Sequence, residues 1–155
     1  GYRAGDLEQA LEPVRHALAG EPAEAQAASR ALGELACVGA VPDLIETLGR
    51  DRATAEEAHR ALVALTKQDF GTKQRKWLPW WKSNQHRPRL EWLLDGLGHD
   101  SEAIRLSSSE ELRRVTGEYF GYHYDLPRRE REQARQRWIA WWQETGQARF
   151  TRGES

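Results

Sequence analysis

The sequence predicts an all-α fold built from short helices that pack in antiparallel pairs. Apolar residues recur at helical spacing along nearly the whole chain, and no stretch shows the alternation typical of a β-strand. A third observation is internal repetition, described below. With 155 residues, the chain is long enough to bury one core. We therefore expect residues 1–155 to form a single domain and, because Gly1 is not an initiator methionine, to be a piece of a longer protein.

The first part of the chain is predicted to form four helices, over residues 6–19, 22–36, 41–48 and 53–66. Gly20, Gly39 and Gly49 mark their ends. The side chains expected on the buried faces are Leu7, Leu11, Val14, Ala17 and Leu18, then Ala28, Ala31, Leu32 and Leu35, then Leu44, Ile45 and Leu48, and finally Ala58, Ala61, Leu62 and Leu65. Helices this short with brief loops are typical of helical hairpins.

The hairpins repeat along the chain. Residues 17–41 align with residues 47–71 at a constant shift of 30, which places Leu32 on Leu62 and Leu35 on Leu65. A third copy begins at Gly96, where Leu97, Ser108, Leu112 and Val115 take the places of Leu48, Ala58, Leu62 and Leu65. Extra segments at 76–84 and 137–145 share the pattern Trp-x-x-Trp-Trp. These matches predict repeats over about 6–37, 41–84 and 86–146, as in a solenoid.

The third copy resembles a HEAT repeat. The resemblance rests on the turn "LGHD" at 97–100, on the pair Ile104 and Arg105, and on the small Ser108 four residues before Leu112. The first two copies depart from the pattern at the arginine, where Ala25 and Ala55 stand, and at the preceding apolar residue, where Glu24 and Thr54 stand. This resemblance implies an alpha-alpha superhelix of three helical hairpins.

The segment "TGEYFG" at 116–121, followed by a Trp-x-x-Trp-Trp helix, resembles a bacterial HEAT-like variant in which a Trp-bearing helix is appended to the hairpin. The last two repeats would each carry this extra helix. Members of such families bind other macromolecules and usually catalyse nothing. The resemblance therefore implies a non-catalytic module, most simply a protein-protein interaction scaffold or adaptor. Cys37 as the single cysteine fits a reducing compartment, and we expect a cytoplasmic location, no cofactor and no metal.

The tryptophans have two interpretations. Rings three and four residues apart lie on one helix face, so Trp77 and Trp138 each align with two further rings. Each set can clamp its helix onto the hairpin, together with Phe70 or Phe120 from the preceding turn. Alternatively, one ring of each set remains exposed as an anchor for a partner, because tryptophan is enriched at binding hot spots. Because adjacent rings cannot both point inward, the candidates are one of Trp80 and Trp81 and one of Trp141 and Trp142, and we select Trp81 and Trp142.

The second helix of each hairpin supplies the other predicted contacts. In solenoids these helices tend to line the concave face, and the residues that the apolar stripe leaves outside are polar. These predicted partner-binding residues are Glu56, Glu57, His59, Arg60, Ser109, Arg113 and Arg114. We expect them to make charged and hydrogen-bonding contacts to another protein around an exposed aromatic ring.

Charge supports a competing hypothesis. Residues 1–65 hold 6 Lys and Arg against 11 Asp and Glu, whereas residues 66–155 hold 17 against 13. Interleaved cations and aromatic rings suit nucleic acid, and HEAT-like folds include glycosylases that remove alkylated bases from DNA and lyases that attach bilins. The cations concerned are Lys73, Arg75, Lys76, Lys82, Arg128, Arg129, Arg131, Arg135 and Arg137. Against this hypothesis, the pI near 6.6 is low for a nucleic-acid domain.

Other classes lack their sequence signatures. The five histidines show no spacing typical of a metal site, and no glycine-rich phosphate loop occurs. The "DFG" at 69–71 aligns with "YFG" at 119–121, which predicts a structural turn with a positive φ at Gly71 and Gly121. In the segment "YHYD" at 122–125, His123 and Asp125 could ligate an ion, but we interpret the segment as a surface loop before the last helix. Cys37 is interpreted as a small apolar residue. No apolar stretch is long enough for a membrane span.

Overall fold

The computed structural model describes the backbone of residues 4–151 and the side chains of residues 11–151. Between residues 4 and 151 the regular structure is helical and no β-strand occurs, so the predicted all-α class is confirmed. The helices are α1 (Ala4–Leu18), α2 (Pro22–Glu34), α3 (Val41–Thr47), α4 (Arg52–Thr66), α5 (Gln74–Asn84), α6 (Arg89–Gly96), α7 (Glu102–Thr116), α8 (Arg128–Trp141) and α9 (Gln147–Thr151). A 3-10 turn at Val38–Ala40 precedes α3, and a π-helical turn at Trp142–Gly146 joins α8 to α9. Among these described helices, none has the length and apolar character that crossing a membrane requires.

The chain forms two compact units, which divide between His86 and Arg87. This boundary falls where the alignment of copies separates the second repeat from the third. The first unit contains α1 to α5 and the second contains α6 to α9. The single domain expected from the chain length stays a prediction.

The core of the first unit lies where α2, α3, α4 and α5 meet. Leu44, Leu62, Leu65 and Trp77 are fully buried there, and burying a leucine of this kind contributes about 1.5–3 kcal/mol. The helices α2 and α4 approach closely at Gly33, where a Cβ atom would lie only 3.0 Å from the Cα of Ala61. The predicted burial of the α3 and α4 stripes is confirmed, whereas Leu7 lies outside the described side chains.

The end of α2 differs from the prediction. Leu35, expected in the core, is 73% exposed, and Ala31 is exposed as well. The helix ends at Glu34 because Ala36 adopts a left-handed conformation with φ 53°, and the amide of Cys37 donates to the carbonyl of Leu32. This hydrogen-bond pattern is a Schellman C-cap, which usually has glycine at the left-handed position. The chain therefore turns before Leu35 can follow Leu32 into the core.

The second unit has its core between α6, α7 and α8. Leu93, Leu97, Leu112 and Trp138 are buried in it. A two-pronged ion pair between Arg89 and Glu111 joins α6 to α7. Val115, expected in the core as the counterpart of Leu65, is instead half-exposed. Within this unit, α7 packs chiefly against α6, and no described helix flanks it as α2 flanks α4.

Both units use the same turn after their second helix. The hydroxyl groups of Thr66 and Thr116 each donate a hydrogen bond to the carbonyl four residues earlier. Each also accepts a hydrogen bond from the amide two residues later. The predicted positive φ is confirmed at Gly71 (72°) and at Gly121 (78°). The connection that follows differs in length, because Trp77 comes six residues after Gly71 and Trp138 comes seventeen after Gly121. The second unit thus has a longer connection, residues 122–127, before α8.

Candidate functional site

The first tryptophan of each set forms the predicted clamp. The Phe70 ring meets Trp77 edge to face, with ring centroids 5.0 Å apart, and Phe120 meets Trp138 in the same way at 4.8 Å. The indole N–H of Trp77 donates to the carbonyl of Gly71 at 2.8 Å, which ties the helix to the turn. These rings therefore hold the appended helices in place.

Trp142 does not fit its predicted role as an exposed anchor. Its side chain is only 4% exposed, and its indole N–H donates to Glu91 of α6 at 3.1 Å. The adjacent Trp141 is also half-buried, between Trp138 at 5.7 Å and Phe150 of α9 at 6.1 Å. Both adjacent rings are covered because α6 packs on one side of α8 and the short α9 turns back over the other. Of this pair, the predicted anchor Trp142 is therefore the more deeply buried ring.

Trp81, the other predicted anchor, is half-buried against the core of the first unit. Its neighbour Trp80 has a similar partial exposure, and the Trp80 carbonyl accepts the side-chain amide of Asn84 at 2.7 Å. Because Trp81 is still partly accessible, its contact with a partner stays a prediction.

Three predicted contacts on α4, Glu56, Glu57 and Arg60, are engaged in ion pairs. Glu57 accepts Arg60 at 2.8 Å and Arg30 of α2 at 3.3 Å. Glu56 pairs with Arg52 at 3.2 Å. These charges neutralise their neighbours, and exposed pairs of this kind stabilise a helix by well under about 1 kcal/mol each.

His59, the remaining predicted contact on α4, pairs with the turn that follows the helix. Its Nε2 lies 2.7 Å from Asp69 Oδ1, and the same oxygen accepts the amide of Gly71 at 3.0 Å. Ring and carboxylate thus fix the turn before α5. The structure gives His59 a structural use that the sequence did not indicate.

On the second unit, Arg113 belongs to a small exposed cluster. Its guanidinium carbon lies 4.7 Å from the centre of the Tyr119 ring, and the Tyr119 hydroxyl lies 2.8 Å from His123 Nε2. The Tyr119 and His123 rings also meet edge to face at 5.8 Å. Tyr119 is 49% exposed, and Val115 in the last turn of α7 is exposed to a similar degree. We call Arg113, Tyr119 and His123 the aromatic surface.

Sequence reasoning missed Tyr119 and His123 in this cluster. The available signal was the alignment of the two turns, because Tyr119 occupies the position of Asp69 in the other copy. The spacing of Tyr119 and His123, four residues apart outside a helix, carries no periodic signal. Of the other predicted contacts on α7, Arg114 is exposed and Ser109 is half-buried.

The arginines of α8 are partly committed to structure. Arg135 Nε donates to the carbonyl of Leu94 at 2.9 Å, and Arg137 Nε donates to that of Phe120 at 3.0 Å. In the first unit the side chain of Gln74 makes the equivalent bond to the carbonyl of Ile45 at 3.1 Å. Guanidinium groups that are bonded to backbone carbonyls are less available to the phosphates of a nucleic acid.

The pKa values of Asp51 and Tyr122 are shifted from their ordinary values. The hydroxyl of Thr54 hydrogen-bonds Asp51, the N-cap of α4, and lowers the pKa of that carboxyl. Burial raises the pKa of Tyr122, whose hydroxyl donates to the carbonyl of Leu97 at 2.5 Å. Among the residues described, no three His, Cys, Asp or Glu side chains converge to form a metal site.

Comparison with protein-family models, with curated proteins and with solved structures finds no match to this chain. The function therefore has to be inferred from its own residues.

Proposed function

We propose that this chain is a non-catalytic helical-repeat module that binds another protein through the aromatic surface of its second unit. The proposal includes a HEAT-like superhelix of three helical hairpins. Support for the repeat comes from the equivalent contacts of the two units, in particular the Phe70–Trp77 and Phe120–Trp138 clamps and the left-handed glycines before them. It also includes a cytoplasmic location, which a single cysteine, Cys37, suits.

One observation carries the choice of surface. Tyr119 is half-exposed although its ring is fixed between Arg113 and His123. Tyrosine and arginine are enriched at binding hot spots, and a side chain held in place before binding loses less conformational entropy. The aromatic surface therefore replaces Trp142 as the anchor of the proposal.

The chemistry of the surface selects its partner. Arg113 and Arg114 are exposed at the end of α7, and neither makes an ion pair with a carboxylate among the residues described. The half-exposed ring of Tyr119 adds apolar contact area beside Arg113. A segment of another protein that carries an acidic residue next to an apolar one complements this combination.

Selection from a library of random peptides tests the proposal directly. The peptides are selected on the full chain and counter-selected on a variant with Tyr119→Ala and Arg113→Glu. We expect the enriched peptides to share an acidic residue next to an apolar one and to bind the single variants at least about tenfold more weakly. An Arg75→Glu variant is the matched control, because Arg75 is an exposed arginine of the first unit.

Two outcomes would overturn this proposal. One is enrichment of peptides that bind the double variant as well as the unchanged chain. The other is binding of single-stranded DNA at physiological salt that is lost with Arg128→Gln and Arg129→Gln and unaffected by Tyr119→Ala. That second result would support the nucleic-acid hypothesis, because the exposed arginines of α8 would then carry the affinity.

A further inference from the structure

A second feature of the second unit is a cavity of about 190 Å³ beside the first turn of α8. The polar and charged residues around it are His99, Asp100, Arg105, Arg128, Arg131 and Glu132. A single water occupies about 30 Å³ of liquid volume, so the cavity has room for a small polyatomic ion. None of the predicted partner-binding residues lines it.

Arg105 is a buried cation at the wall of this cavity. Its side chain is only 7% exposed. Its guanidinium donates three hydrogen bonds of 2.9 Å to backbone carbonyls. The Nε atom donates to the carbonyl of Tyr124, and Nη1 donates to those of His99 and Asp100. Of the described residues, none places a carboxylate within 4.0 Å of this guanidinium, and none accepts a hydrogen bond from Nη2. A buried charge held only by neutral carbonyls lacks a counter-ion, which is costly.

The neighbouring arginines likewise lack a carboxylate partner among the described residues. Arg128 and Arg131 make no ion pair with a carboxylate of the described chain. His99 accepts the amide of Ser101 on Nδ1 at 2.9 Å, so its Nε2 carries the proton and is a donor. Together with Arg105, these groups offer several hydrogen-bond donors around one space.

Two carboxylates also line the cavity, and they limit its positive charge. Glu132 is already engaged, because its Oε1 accepts Arg135 at 3.2 Å and Gln136 at 2.9 Å. Asp100 is exposed. Three arginines against two carboxylates leave the cavity positive, with the buried guanidinium on the inner side.

We propose that this cavity binds a phosphate-type oxyanion. A tetrahedral oxyanion presents several acceptor oxygens, and guanidinium groups bind such anions through paired, charge-assisted hydrogen bonds. The anion would accept from Nη2 of Arg105 and from the guanidinium groups of Arg128 and Arg131, and would supply the missing counter-charge. The first unit has no equivalent, because Ala55 stands at the position of Arg105 in the aligned copy.

Titration of the full chain with inorganic phosphate, followed by ¹H–¹⁵N NMR, tests this proposal. We expect saturable shifts of the Arg105 Nε–H resonance and of the first amides of α8. Sulfate should produce the same pattern, whereas chloride at equal ionic strength should not. Phosphoserine as the free amino acid distinguishes the source, because tighter binding than inorganic phosphate identifies a phosphomonoester as the preferred form.

Variants complete the test. Arg131→Gln should weaken phosphate binding about tenfold, and Asp100→Asn should tighten it because it removes an opposing charge. Arg129→Gln is the matched control, since it removes the same charge from an exposed position of α8 outside the cavity lining. Equal shifts with chloride, equal weakening in Arg129→Gln and Arg131→Gln, or no tightening in Asp100→Asn would overturn the proposal. Circular dichroism verifies that each variant is folded.

Discussion

Removing the indole of Trp138 should cost the second unit much of its stability. Trp138 is only 2% exposed, and its ring packs edge to face against Phe120 and Trp141. Truncating a buried aromatic residue to alanine costs about 3–5 kcal/mol, because apolar surface is lost and a cavity remains. We expect a loss in this range for Trp138→Ala.

A double-mutant cycle isolates the clamp within that loss. The variants Phe120→Ala, Trp138→Ala and the combined change give the energy of the ring pair itself, expected at about 0.5–1.5 kcal/mol. Urea unfolding followed by far-ultraviolet circular dichroism is the assay, because it does not depend on tryptophan emission. Leu78→Ala, at an exposed position of α5, should change stability by less than about 0.5 kcal/mol and serves as the control. A loss below about 1 kcal/mol for Trp138→Ala would refute the assignment of this ring to the core.

Three further predictions concern single positions. Ser108→Ala should raise the free energy of unfolding by about 1 kcal/mol in urea titrations, because its fully buried hydroxyl has no hydrogen-bond partner among the described residues; a loss would show that the hydroxyl is bonded. Because burial raises the pKa of Tyr122 above its ordinary 10.0, the stabilisation from its neutral form is complete below about pH 10 and is lost as the pH rises toward the folded pKa. Urea midpoints should fall over that range in the unchanged chain and not in Tyr122→Phe, and equal slopes would contradict this. Gly33→Ala should lower stability by about 1–3 kcal/mol because its Cβ would press on Ala61, despite a gain in helix propensity of up to about 1 kcal/mol; thermal melts showing a gain would contradict the close approach.

The helices and the clamps could be predicted because their signals are local. Phe70 and Trp77 lie a few residues apart, and the alignment of the two copies identified their counterparts. Leu35 was misplaced because the end of α2 depends on Ala36 adopting a left-handed conformation, which no periodicity indicates. Trp142 was misplaced for a tertiary reason, since its cover comes from Glu91, 51 residues away in sequence.

The candidate surfaces were harder to predict than the fold. Arg113 lies outside the apolar stripe, as the periodicity predicted, whereas its contact with Tyr119 was not foreseen. The environment of Arg105 is made largely of backbone carbonyls, including that of Tyr124. Carbonyl groups are present at every position of a chain, so sequence patterns do not show where they converge.

Two features are found in only the second unit and depend on each other, namely the longer connection before α8 and Arg105. Residues 122–127 supply the carbonyl of Tyr124 that holds Arg105, whereas the unit with alanine at the aligned position has the short connection. A chimera that exchanges only the arginine would leave its Nε without the Tyr124 acceptor, and one that exchanges only the connection would leave the Tyr124 carbonyl without its donor. In any duplication or redesign of these units, Arg105 and residues 122–127 therefore have to be transferred together.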